Sequence, residues 1–92
     1  MRIIWSVVAF ADLERLQTFL AEVDLEASEK IADLLANSPT ALLDFPRRGP
    51  RLFEFDPREV REFRVERYVF RYEVRDNQII LLRIFHMRED RA

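Results

Sequence analysis

Apolar residues recur every three or four positions through the first half of the chain, and this spacing predicts two amphipathic helices. The first is expected over residues 7–23. Its apolar stripe consists of Leu13, Leu16, Leu20 and Val23. The second is expected over residues 25–37, after Asp24, a residue type that favours the N-cap position. One further helical turn is expected over 40–45. Two helices in immediate succession favour an αα-hairpin.

Strand signals lie on both sides of these helices. The continuous apolar run Ile3-Ile4-Trp5 predicts a short strand over 2–6 that is covered on both faces, and its last residue, Ser6, is a suitable N-cap for the first helix. In the last third of the chain, Asp76-Asn77 is a good two-residue hairpin turn between strand-like segments. Strands are expected here over 60–66, 67–75 and 78–87, after a short strand over 52–55.

The element order is therefore β-α-α-β-β-β-β, in a single domain over residues 1–92. This order predicts the α+β class, with a two-helix N-terminal hairpin packed on one face of a small, mostly antiparallel sheet. Turns at 66–67 and 76–77 pair Phe63 with Phe70, Phe70 with Arg83, Tyr72 with Leu81 and Tyr68 with Phe85. This face is rich in aromatic residues, so it is predicted to meet the helices.

The opposite face of the sheet is predicted to mix charged and apolar side chains. It contains Glu62 opposite Arg71, Arg64 opposite Val69, and then Leu82, Ile84 and His86. Monomers rarely expose an apolar patch of this kind, so we expect something to cover it. The cover is a partner segment, a second copy of the chain or the chain's own loop at 47–51. Alternatively, the sheet curls and buries these residues itself.

Composition and charge narrow the class of protein. The chain has no cysteine and a net charge of −2, which excludes disulfides and thiolate metal sites and argues against a protein that binds many phosphates. No apolar run approaches the length of a membrane helix, and the N-terminus has no signal-peptide pattern. We therefore expect a cytoplasmic protein without a membrane partner. The single histidine, His86, cannot form a metal site alone, and we predict neither metal nor cofactor.

Several short motifs follow one another along the chain. They are Trp5-Ser6, Ala9-x-x-Asp12-Leu13, Pro46-x-x-Gly49, Tyr68-Val69-Phe70-Arg71-Tyr72 and Leu82-Arg83-Ile84-Phe85-His86-x-Arg88-x-Asp90. With the element order, they make the chain resemble the ParE/RelE toxin superfamily of bacterial type II toxin–antitoxin systems over nearly its full length. The resemblance implies a cognate antitoxin whose C-terminal segment wraps the toxin. It also implies one of two activities: RelE-like members are ribosome-dependent endoribonucleases, and ParE-like members inhibit DNA gyrase.

The pattern of the RelE-like ribonucleases is incomplete in this sequence. They carry an arginine where this chain has Val69, and basic residues near the positions of Val60 and Glu62. Some carry a tyrosine where this chain has Met87. The resemblance is therefore closer to the ParE branch, which implies a protein that binds and inhibits DNA gyrase rather than an enzyme. It also implies a hetero-oligomer of toxin and antitoxin.

We assign the candidate residues to two surfaces. The target-binding surface is predicted at the C-terminal strand and tail, and consists of Arg83, His86, Arg88 and Asp90. The antitoxin-binding surface is predicted along the first helix and the mixed face of the sheet, and consists of Leu13, Leu16, Leu20, Arg64, Val69, Arg71, Leu82 and Ile84. If the chain is instead a RelE-like endoribonuclease that acts on mRNA at the ribosome, its reduced site consists of Arg71, His86 and Arg88. For His86, catalysis, an interface contact and a structural role stay open.

Overall fold

Both helices form where the apolar spacing predicts them. In a computed structural model, which describes residues 1–89, α1 spans Val7–Ala21 and α2 spans Leu25–Asn37. The side chains of Ser6 and Asp24 cap the two helices as predicted, each accepting a hydrogen bond of 3.0 Å from a backbone N–H three residues further on. The helices pack against each other, so the predicted αα-hairpin is confirmed.

Four strands form one mixed sheet in the order β1-β4-β3-β2. Their bounds are Arg2–Trp5 (β1), Val60–Val65 (β2), Tyr68–Arg75 (β3) and Gln78–His86 (β4). β1 is parallel to β4, and the other neighbours are antiparallel. Asp76 and Asn77 form the predicted turn with φ angles of 52° and 60°, a conformation that Asp and Asn adopt more readily than most residues. The predicted α+β class is therefore confirmed.

A bulge in β4 interrupts the predicted register. The pairing of β2 with β3 is as predicted, and Tyr72 pairs with Leu81 as predicted. The next residue back along β3, Arg71, pairs with Arg83, so Leu82 is an extra residue on β4. Strand pairs that are counted outward from the turn at 76–77 are therefore wrong by one residue beyond Leu82.

The bulge exchanges the faces of the β4 residues beyond it, because side chains alternate along a strand. Ile84 and His86 lie on the side of the sheet that meets the helices, and Arg83 and Phe85 lie on the opposite side, here called the outer face. The predicted pairings of Arg83 and Phe85 are therefore wrong, as is the placement of Ile84 and His86 on the mixed face. The observed pairs are Phe70 with Ile84 and Tyr68 with His86.

The segment between α2 and β2 contacts both edge strands of the sheet, β1 through residues 38–43 and β2 through residue 51. A 3₁₀ helix over Ser38–Leu43 replaces the further helical turn predicted after α2. A second 3₁₀ helix, over Phe53–Phe55, lies where a strand is predicted over 52–55, so that prediction is wrong. The reason is that pairing with β2 is limited to the isolated bridge between Arg51 and Arg61, after which the backbone N–H groups of residues 55 and 56 bond carbonyls three residues back.

Gly49 lets this segment lie close to β2. A Cβ atom at this position would clash with the carbonyl oxygen of Glu62, a contact that glycine alone avoids. The Gly49 N–H donates to the hydroxyl of Tyr72 at 3.2 Å, and that hydroxyl donates to the Pro46 carbonyl at 2.8 Å. The loop is thus fastened to the sheet by a side chain of β3.

The core lies between the helices and the sheet. Leu16 of α1 and Leu35 of α2 pack on the sheet face that contains Tyr68, Phe70, Tyr72, Val74, Ile79, Leu81 and Ile84. The rings of Phe63 and Phe70 stack with their centroids 5.1 Å apart. The prediction that an aromatic-rich sheet face meets the helices is confirmed.

Candidate functional site

A buried carboxylate joins α1 to the edge of β4. Asp12 is 4% exposed, and its Oδ2 accepts hydrogen bonds from Arg83 Nε and from the Ile84 backbone N–H, both at 2.8 Å. Its Oδ1 accepts a further hydrogen bond from Arg83 Nη2 at 3.2 Å. β4 continues beyond the end of β1, which pairs with it only as far as Leu81. Asp12 therefore provides the hydrogen-bond acceptor for the Ile84 N–H on this edge of β4.

Asp12 and Arg83 are both charged in this arrangement. Burial disfavours the carboxylate most strongly, but the hydrogen bonds from Arg83 and from the Ile84 N–H outweigh it and hold the pKa of Asp12 below its ordinary value. The hydrogen bond to Asp12 raises the pKa of the Arg83 guanidinium. Arg83, which is predicted to bind a target, therefore anchors α1 to β4 in the free chain.

A pocket of about 640 Å³ opens between α1 and the end of β4. We call it the α1–β4 pocket, and it is lined by Arg15, Leu16, Phe19, Leu20, Tyr68, His86, Arg88 and Glu89. Its volume is in the range of ligand sites, which are typically about 300–1,000 Å³. The rings of Tyr68 and His86 meet edge to face, with centroids 5.3 Å apart. The pocket thus combines apolar side chains with arginines and a histidine.

The turn after β4 places a second carboxylate beside this pocket. Glu89 Oε2 accepts from Arg15 Nη1, and Glu89 Oε1 accepts from the His86 backbone N–H, both at 2.8 Å. The Arg88 backbone N–H donates to His86 Nδ1 at 3.2 Å. His86 Nδ1 therefore accepts a hydrogen bond from the turn that follows β4.

The outer face of the sheet carries arginines that are engaged by carboxylates and aromatic rings. Arg71 Nη2 lies 2.9 Å from Glu62 Oε2, and its guanidinium lies 5.2 Å from the ring centroids of both Phe55 and Phe85. The guanidinium of Arg83 also lies over the Phe85 ring, 4.8 Å from its centroid. The chain's own 3₁₀ helix, through Phe55, therefore covers part of the mixed face.

A second ion pair lies further along the outer face. Arg58 Nη2 is 2.9 Å from Glu73 Oε1, and Arg58 Nε is 3.3 Å from Glu73 Oε2. The hydrogen bond from Arg58 holds the pKa of the Glu73 carboxyl below its ordinary value. Glu73 is therefore a poor candidate for a general acid, since it stays ionised near neutral pH.

Comparison with known proteins shows the family of this chain. The family model for the ParE toxin of type II toxin-antitoxin system, parDE, matches residues 3–91. The chain belongs to the ParE toxin family. This ParE-family chain is 31% identical over 85 residues to Toxin RelE2 of Caulobacter vibrioides, a match that covers 92% of this chain and 93% of that protein.

The fold of this ParE-family chain is also found in a solved structure. It resembles the chromosomal ParDE TA system from P. aeruginosa with a TM-score of 0.79 and 21% identity, over 94% of this chain and 95% of that chain. The predicted superfamily is confirmed, and the chain is a toxin of a type II toxin–antitoxin system. Membership of this family implies an antitoxin partner.

The residues predicted for target binding in this ParE-family toxin are separated. Arg83 is held by Asp12, whereas His86 and Arg88 line the α1–β4 pocket. Asp90 lies outside the described residues. A role of these residues in binding a target stays a prediction.

The residues predicted for antitoxin binding lie in several environments. Leu16 and Leu20 line the α1–β4 pocket, and Leu13 packs against the core. Val69 is 2% exposed and Ile84 is fully buried, so neither offers surface in the free toxin. The expectation of an accessible Ile84 fails because the bulge turns it towards the helices.

The remaining antitoxin candidates lie on the sheet. Arg64 is exposed and lines a separate hollow of about 420 Å³ with Arg48 and Gly49. Arg71 is half-buried on the outer face, and Leu82 is half-buried at the bulge. Their binding roles stay predictions.

The reduced ribonuclease site does not come together on one face. Arg71 lies on the outer face, opposite Arg83, whereas His86 pairs with Tyr68 on the side that meets the helices. Arg88 lines the same pocket as His86. The sheet therefore stands between Arg71 and the other two candidates.

Sequence reasoning missed the acidic members of the site, Asp12 and Glu89. A signal for Asp12 was present, because it falls between Ala9 and Leu16 at the helical spacing of buried positions. An acidic residue at such a position requires a cationic or hydrogen-bonding partner in the fold. Glu89 carries no comparable pattern in the sequence.

Within residues 1–89, the structure contains no group of three or more His, Cys, Asp or Glu side chains arranged to hold a metal ion. Among the same residues, none of the helices has the length and apolar character that crossing a membrane requires.

Proposed function

We propose that this ParE-family toxin acts by binding, that its target is DNA gyrase, and that its antitoxin neutralises it by binding along α1. The observation that carries the proposal is the division of the candidate ribonuclease residues between opposite faces of the sheet. Arg71 lies on the outer face, and His86 and Arg88 lie beside α1.

RNA cleavage at a 2′-hydroxyl requires a general base, a general acid and cationic groups around one phosphate. The side chain of Arg71 is already engaged by Glu62 at 2.9 Å and by two aromatic rings. His86 is the only histidine of the chain, and its Nδ1 accepts a hydrogen bond from the turn. These contacts favour a binding protein over a nuclease.

The alternative function is a RelE-like endoribonuclease that cleaves mRNA at the ribosome. The observation that favours it is the 31% identity to a protein named Toxin RelE2. In that case the reacting groups would be His86 and Arg88 in the α1–β4 pocket, without Arg71.

The antitoxin surface is expected to follow α1 and to include Leu16 and Leu20. Phe19 of α1 is exposed beside Leu16 and Leu20, and it extends the apolar lining of the α1–β4 pocket. An amphipathic segment that lies along this face of α1 would cover these three side chains in a helix-in-groove arrangement. The toxin and antitoxin then form a hetero-oligomer in the cytoplasm, where the proposed target is found.

Two assays with the purified toxin test the target. The first measures DNA supercoiling by gyrase, and the second measures cleavage of mRNA in the presence of ribosomes. We expect inhibition of supercoiling and intact mRNA. The variants His86→Ala and Arg88→Ala are compared with Arg75→Ala, an exposed arginine at the far end of β3. Cleavage of mRNA that His86→Ala abolishes, with supercoiling unaffected by the wild-type toxin, would overturn the proposal in favour of the endoribonuclease.

A further inference from the structure

The α1–β4 pocket already contains a carboxylate in a site built to bind one. Glu89 Oε2 lies 2.8 Å from Arg15 Nη1, and Glu89 Oε1 lies 2.8 Å from the His86 backbone N–H. A guanidinium and a strand-edge N–H that converge on the two oxygens of one carboxyl group form a charge-assisted site for an anion. The occupant comes from the turn that follows β4, so it can leave without disturbing the sheet.

Each of the receiving groups is also held by a contact that does not involve Glu89. Arg15 is within 3.4 Å of the buried Asp12 carboxylate, which restrains the guanidinium independently of Glu89. The His86 N–H belongs to the last residue of β4. The Arg15 side chain is 46% exposed, and ion pairs with this degree of exposure are weak. Another carboxylate can therefore replace Glu89 at low cost.

The rest of the pocket indicates what would bring that carboxylate. Leu16, Leu20 and Tyr68 offer an apolar surface beside the anion site. Arg88 adds a second cation to the rim, and within residues 1–89 it forms no salt bridge. The apolar surface continues outward over Phe19, which is 70% exposed. A small acid in the pocket would leave this side chain uncovered. A longer partner with apolar and acidic residues fits these properties.

We propose that the α1–β4 pocket binds an acidic peptide segment through an apolar side chain with an adjacent carboxylate, and that Glu89 is an internal competitor for the carboxylate position. The proposal rests on the antitoxin site proposed above, and it adds the chemistry and the regulation of that site. When the peptide binds, its carboxylate accepts the hydrogen bonds from the Arg15 guanidinium and the His86 backbone N–H. Glu89 then moves out of the pocket with the 87–89 turn. The toxin thus regulates access to its own pocket.

Two capped peptides test the proposal by NMR titration of the labelled toxin. One is Leu-Leu-Phe-Asp-Glu and the other is its neutral counterpart Leu-Leu-Phe-Asn-Gln, and 3-phenylpropionate serves as a small acid. We expect the acidic peptide to shift the His86 amide and the Leu20 methyl signals and to bind more tightly than the neutral peptide. Equal binding of the two peptides, no binding, or binding by 3-phenylpropionate without the acidic peptide would each overturn the proposal.

The variant Glu89→Gln tests the competition, because it keeps the size of the side chain and removes its charge. We expect it to bind the acidic peptide about 1.5–5-fold more tightly, the range that corresponds to loss of an exposed ion pair. Glu54→Gln, a matched change on an exposed residue of the second 3₁₀ helix, is expected to leave the affinity unchanged. An unchanged or weaker affinity in Glu89→Gln would contradict the competitor role. These titrations do not involve gyrase or ribosomes, so their failure and the failure of the proposed target can be told apart.

Discussion

Replacing the buried carboxylate of Asp12 by an amide tests whether this ion pair holds α1 on the sheet. In Asp12→Asn, the side chain loses its charge and retains one acceptor oxygen for Arg83 and the Ile84 N–H together. A hydrogen bond to a charged group contributes about 1.5–3 kcal/mol, and a buried donor left without an acceptor costs about 1–3 kcal/mol. The Arg83 side chain is 40% exposed and can turn towards water, which places the loss near the lower end of these ranges. We therefore expect the free energy of unfolding to fall by about 2 kcal/mol.

Thermal unfolding followed by circular dichroism measures this loss. For a domain of this size, each kcal/mol lowers the midpoint by about 4–8 °C, so the expected decrease is about 8–16 °C. Asp33→Asn is the matched control, since Asp33 is an exposed residue of α2. A midpoint of Asp12→Asn within about 2 °C of the wild type, an effect below about 0.5 kcal/mol, would refute the assigned role of the carboxylate.

The dependence on pH gives an independent check of the same ion pair. Folding lowers the pKa of Asp12 from its ordinary value of 3.8, so the folded state favours the ionised form. The stabilisation is therefore fully present above that value and is lost as the pH falls through the lower pKa of the folded state. The difference in midpoint between the wild type and Asp12→Asn should be constant near neutral pH and should narrow below pH 3.8. A difference that widens on acidification would contradict the direction of the shift.

Three further substitutions test the loop and the cap of α1 by urea unfolding. Gly49→Ala should lower the free energy of unfolding by about 1–3 kcal/mol, because its Cβ meets the Glu62 carbonyl; an unchanged value would show that the loop can move away. Tyr72→Phe should cost about 1–2 kcal/mol through the lost bonds to Gly49 and Pro46, and a neutral effect would argue against that anchor. Ser6→Ala should cost about 0.5–2 kcal/mol by removing the N-cap, whereas a stabilised variant would contradict it.

The helices and the β3–β4 turn could be predicted because their signals are local. Ser6 and Asp24 are short polar side chains directly before apolar periodic segments, and both are N-caps. Asp76 and Asn77 adopt the positive φ angles that a two-residue hairpin turn needs. Each of these structures is determined by a few neighbouring residues, so the sequence carries enough information to locate it.

The bulge at Leu82 could not be predicted, and it determines the candidate site. Leu81, Leu82, Ile84 and Phe85 place apolar residues on both possible faces, so the hydrophobic pattern does not distinguish the two registers. The observed register is accompanied by contacts distant in sequence, because it places both the Arg83 side chain and the Ile84 N–H within hydrogen-bond distance of Asp12. The position of His86 beside α1 follows from that register.

The strand order has a consequence for how the toxin is made. β4 lies inside the sheet, between β1 and β3, although it leaves the ribosome after β1, β2 and β3. The hydrogen bond from the Ser6 hydroxyl to the Leu82 carbonyl joins residues 76 positions apart. Contacts of such high sequence separation form late in folding, because a long loop must close first. Translation therefore first produces a sheet that lacks one of its two inner strands, and the pocket beside α1 arises only after β4 has been synthesised.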